Sequence, residues 1–105
     1  MAKQLRIPPE TEGDPDAREM IRVWLAHDDV HLSLHLGMWQ DAEESEIDER
    51  DAWGIMLADI THHIARGLHQ SHTFPVADTM RRIRESYLAA LDAKDKLRSG
   101  GYVDS

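Results

Sequence analysis

Cysteine is absent from the chain. Disulfides and thiolate metal sites are therefore excluded, and the usage fits a reducing compartment. Long apolar runs are missing as well. No stretch approaches the roughly 18 apolar residues that span a bilayer, and the opening MAKQLRIPPE lacks the apolar segment of a secretory signal. These absences lead us to expect a cytoplasmic protein with no membrane partner. Positive charge is scarce: 12 Lys and Arg stand against 20 Asp and Glu, a formal net charge of −8 with histidines neutral. So acidic a chain gains little from polyphosphate contact, and nucleic acid is not an expected partner. The six glycines, at 13, 37, 54, 67, 100 and 101, form neither G-x-G-x-x-G nor G-x-x-x-x-G-K, and no G-x-S-x-G elbow occurs.

The 105 residues are the length of one domain, and residues 1–105 read as a single domain. Residues 1–17 carry Pro8, Pro9, Gly13 and Pro15 without a helical period, which predicts an extended arm with a loop. Within it, Leu5 and Ile7 suggest a short strand at a sheet edge. Residues 19–39 hold two runs rich in β-branched and large apolar residues, EMIRVWLAH and VHLSLHL, separated by Asp28-Asp29. Placing a two-residue turn at Asp28-Asp29 sets Leu25 opposite Leu32 and Val23 opposite Leu34 on one apolar face. The other face then holds Arg22, Trp24, His31, Ser33 and His35. A slip of one residue would mix the two sets.

Residues 41–51, DAEESEIDERD, form an acidic run read as a solvated loop leading into a helix. It lacks the alternation and the glycine of a calcium loop. Asp48 is the expected N-cap of a helix over 48–70, with Trp53, Met56, Leu57, Ile60, Ile64 and Leu68 as its apolar stripe. Gly54 inside that helix predicts close packing against a strand or Trp39, because glycine costs up to ~1 kcal/mol relative to alanine there. Trp53 and Trp39 read as core or rim packing. A second helix over 75–97 places Val76, Met80, Ile83, Tyr87 and Leu91 inward. Asp78 with Arg82, and Asp92 with Lys96, are expected i,i+4 pairs. The tail 99–105 is expected to fray. The resulting class is α+β: an antiparallel β-hairpin, open to extension by an N-terminal strand or a partner chain, packed against two α-helices.

Histidine is abundant between residues 53 and 72, where WGIMLADITHHIARGLHQSH holds four. His62 and His69 lie seven residues apart, about 10.5 Å along a helix axis, too far to share a metal. His31 and His35 would be roughly 13 Å apart on a strand. Asp59 and His63 are i,i+4 neighbours, so they are the weak catalytic candidates, but a third ligand for an ion would have to come from elsewhere. A helix-surface hydrogen bond is the plainer reading of that pair. No metal and no cofactor is expected.

The segments MIRVWLAHDDVHLSLHLGMW and AWGIMLADITHHIA, with the IPPE arm, the H-x-S-L strand and the G-x-W end, resemble a family of small bacterial proteins, domain of unknown function 5076. The resemblance covers roughly residues 4 to 66. The chain departs from it at Asp28-Asp29, where glycines are expected, and in the acids around 43–49. The resemblance implies a cytoplasmic bacterial protein and supplies no activity.

Two function classes remain. One is a non-enzymatic interaction or structural homodimer, joined through the Trp24 row, with an unnamed protein partner also open. Trp24 flanked by Arg22, His31, Ser33 and His35 has the composition of a contact site. Cover of Trp24 by the chain's own arm is the competing reading. The other class is a small-ligand binder or enzyme using Asp59 and His63, or the row His31, Ser33 and His35. The balance of motifs leans against an enzyme.

Overall fold

A computed structural model describes residues 3–93. In chain order it comprises a 3-10 turn at Pro9–Thr11, strand β1 (Ile21–Ala26), strand β2 (Asp29–Leu34), helix α1 (Glu49–His72) and helix α2 (Val76–Asp92). The arrangement is α+β, as the sequence pattern predicts. Two compact units divide at Leu36 and Gly37: the first holds the arm and hairpin, the second the acidic loop and both helices.

In the first unit β1 and β2 pair antiparallel, with Ile21 opposite Leu34, Val23 opposite Leu32, Trp24 opposite His31 and Ala26 opposite Asp29. The expected register is therefore corrected by two residues. The two-residue turn falls on His27 and Asp28, whose φ angles of 55° and 60° place both in the left-handed region. Hairpin loops of this length need that conformation to match the strand twist, and His and Asp adopt it more readily than most residues. Asp29 then belongs to the strand, and its carboxylate accepts the Val30 N–H at 2.8 Å. A shift of two preserves both faces, so the apolar set and the Trp24 set stay as predicted. Among the described residues the sheet has only these two strands. Leu5 and Ile7 form no strand, a second correction. They sit in the arm, 91% and 63% exposed, with Pro8 and Pro9 beyond them unable to donate to a ladder.

In the second unit Asp48 caps α1, its carboxylate accepting the Arg50 N–H at 2.9 Å. Thr73 ends the helix in a left-handed conformation, its N–H returning to the His69 carbonyl. Pro75 precedes α2, where a missing N–H costs nothing. Arg81, not Arg82, reaches the acids of α2, lying 3.6 Å from both Asp78 and Glu85. The expected helix end at 97, the Asp92–Lys96 pair and the tail 99–105 lie outside the described residues. Gly54 also departs from expectation: no atom comes within 4 Å of where its Cβ would sit, so close packing does not explain it.

The core is slight. Ala52, Ala65 and Thr79 are the only buried residues among those described, and no large side chain is fully buried. The predicted stripe of α1 is half open, with Leu57 42%, Ile60 38% and Ile64 44% exposed. On α2, Met80 and Ile83 are half-buried, while Tyr87 and Leu91 are exposed.

Candidate interaction surface

The strands place the predicted contact row on one hairpin face. Arg22 stands opposite Ser33 and Trp24 opposite His31, and His35 extends the ladder by donating its N–H to the Met20 carbonyl at 3.0 Å. Arg22 is held from below by a two-point ion pair with Glu19, at 2.6 and 3.1 Å. That contact lowers the Glu19 carboxyl and raises the Arg22 guanidinium, in each case chiefly through the hydrogen bond. The His31 ring nitrogen lies 3.0 Å from the Ala26 carbonyl, and its ring meets His27 edge-on at 6.4 Å. Both imidazoles are thereby engaged with the turn rather than aimed at a common point.

Trp24 is half-buried. It lines a groove of about 550 Å³ between the arm and β1, together with Ile7, Arg6 and Arg18. Arm residues and the indole thus line one open groove. On the opposite face Val23 and Leu25 are 55% and 81% exposed.

Asp59 and His63 lie on the outer surface of α1, their side chains 71% and 66% exposed. His63 Nδ1 is 2.8 Å from the Asp59 carbonyl oxygen and 3.7 Å from its carboxylate. The ring is turned onto the helix backbone, and no cleft encloses it. Among the described residues no three His, Asp or Glu side chains converge on a point where a metal ion would fit.

The profile of Domain of unknown function (DUF5076) matches residues 4–95. The chain belongs to this family. A solved structure similar to it, described as that of "a putative pyruvate dehydrogenase from the photosynthetic bacterium Rhodopseudomonas palustrus CGA009", shares 25% sequence identity, with 94% of this chain and 92% of that one covered and a TM-score of 0.65. Among curated proteins none matches the sequence.

One residue of this DUF5076 member organises more of its structure than any motif in the sequence announces. The Glu49 carboxylate accepts four N–H groups: Gly37 and the Trp53 indole on one oxygen, at 2.9 and 2.7 Å, and Trp39 and Gln40 on the other, at 2.9 and 3.1 Å. Burial pushes this carboxyl up, but the four donors outweigh it and hold it below its ordinary value. The contact pins the 37–40 loop onto the start of α1 and brings Trp39 edge-on to Trp53 at 6.3 Å. Gly37 permits the bend with φ of 95°. Within the acidic run Glu49 looks like any solvated acid, because its partners are mostly backbone groups that leave no side-chain pattern. No helix among the described residues is long and apolar enough to cross a membrane.

Proposed function

We propose that this DUF5076 chain is a non-enzymatic interaction protein that works as a homodimer, with the apolar stripes of α1 and α2 as its principal seam. The observation behind this is the contrast between few buried residues and many open apolar ones. Leu57, Ile60 and Ile64 on α1, and Val76, Tyr87 and Leu91 on α2, are each more than a third exposed. Covering the open half of one such side chain contributes about 1 kcal/mol. Association costs at least ~4 kcal/mol, so a lone anchor is too little, whereas a stripe contributed by both copies is enough. A two-fold contact fits, because it sets one patch against itself. The hairpin row of Arg22, Trp24, His31, Ser33 and His35 belongs to the same proposal as a secondary contact.

The description of the similar structure does not carry over as an activity. The candidate acid–base pair, Asp59 and His63, lies open on a helix face without a pocket, and no phosphate-binding glycine pattern is present. Light scattering on the eluting full-length protein tests the dimer. The expected mass is about twice the 12.0 kDa chain, falling to a single chain in Ile60→Lys/Ile64→Lys. A wild-type protein that stays at single-chain mass up to high micromolar concentration overturns the reading.

A further inference from the structure

The groove between the arm and β1 has a charge opposite to that of the chain. Lys3, Arg6, Arg18 and Arg22 line it against one acid, Glu19, in a protein whose formal net charge is −8. Arg22 is already paired with Glu19. Among the described residues Lys3, Arg6 and Arg18 have no ion-pair partner, and the groove wall between them is apolar, with Ile7 and Trp24. A rim of unpaired cations around an apolar floor with a half-buried indole suits an acidic segment that carries one apolar side chain.

The chain contains such a segment. Between 41 and 48 it reads DAEESEID, five acids with no cation. Asp41, Glu43, Glu44 and Glu46 have no ion-pair partner among the described residues, and Ile47 in their midst is 52% exposed. We infer that the arm–β1 groove of one copy receives the 41–48 loop of a second copy, Ile47 seated beside Trp24 and the carboxylates against Arg6, Arg18 and Lys3. Each copy presents both a groove and a loop, so a two-fold axis forms the contact twice. The inference rests on the homodimer reading and places a second, charge-selective contact within it. It gives the dimer a specificity that an apolar seam lacks, since apolar stripes discriminate poorly between partners.

A charge-swap experiment on the full chain tests this. Arg6→Glu/Arg18→Glu and Glu43→Lys/Glu46→Lys are each expected to weaken self-association at least tenfold in sedimentation equilibrium, with unchanged helical circular dichroism. Mixing the two variants restores wild-type affinity, because each mixed dimer has one native and one inverted groove–loop contact. A control of the same net charge, Arg66→Glu/Arg82→Glu, is expected to stay within twofold of wild type. If the groove variant dimerises like wild type, or the control weakens as much, or mixing restores nothing, the groove assignment falls and the helix-seam dimer stands. A monomeric wild type removes both.

Discussion

At the scale of single residues, Glu49 has the most at stake. A carboxylate offers about four acceptor sites and no donor, and here all four receive an N–H. Glutamine is therefore no conservative replacement: its amide nitrogen would face two donors, either the N–H groups of Trp39 and Gln40 or those of Gly37 and the Trp53 indole. We expect Glu49→Gln to lower Tm nearly as far as Glu49→Ala and to shift the tryptophan emission to the red as Trp39 and Trp53 separate. The pH dependence has a definite sign. The folded carboxyl lies below its ordinary 4.5, so its stabilisation is fully present above that value and is lost as pH falls through the lower folded pKa. The gap in Tm between wild type and Glu49→Gln should be constant at neutral pH and close below about pH 4.5. A gap that persists unchanged into strong acid would show that the charge is not what holds the loop. Asp48, held down to about 2 chiefly by its hydrogen bonds with Arg50, stays ionised over most of that range and keeps the helix cap in place.

Among the elements, the hairpin turn is one place where the sequence is poorly suited to its conformation. His27 and Asp28 both carry positive φ, which asparagine and glycine adopt with less strain. His27→Asn/Asp28→Gly should stabilise the hairpin by roughly 0.5–1 kcal/mol, raising Tm by a few degrees. Differential scanning calorimetry that finds a lower Tm would mean that the His27–His31 ring contact outweighs the relief of strain. The turn also marks how far sequence reading reaches. The two faces of the hairpin were legible, because strand alternation survives a shift of two residues. The turn position was not, since Asp28-Asp29 and His27-Asp28 are both tolerable left-handed pairs and only cross-strand contacts choose between them. The helix starts were legible from Asp48 and Pro75. The Glu49 contact was hidden because backbone donors from residues 37 to 40 give no side-chain signal. Gly54 misled because a glycine inside a helix does not by itself require a close neighbour, and no atom stands within 4 Å of where its Cβ would sit.

For the whole molecule the decisive quantity is how much apolar surface one chain leaves open. Ile55, Leu57, Ile60, Ile64, Tyr87, Leu88 and Leu91 all remain exposed on the helices, while among the described residues the buried ones are two alanines and a threonine. If the stability of the fold comes from a second copy, it must depend on concentration. A tenfold rise in protein shifts a dimer's unfolding free energy by about 1.4 kcal/mol. With an unfolding entropy of roughly 2.1 cal/mol/K per residue over two chains, that shift corresponds to a Tm increase of about 3 °C. We expect this slope for the wild type in thermal melts across two decades of concentration. Ile60→Lys/Ile64→Lys should melt lower and lose the slope, because its stability no longer contains an association step. The groove variant Arg6→Glu/Arg18→Glu should keep the slope but start from a lower Tm, since it weakens one contact and leaves the helix seam. A wild-type Tm independent of concentration would mean that the single chain supports itself, and the open stripes on α1 and α2 would then await a different partner.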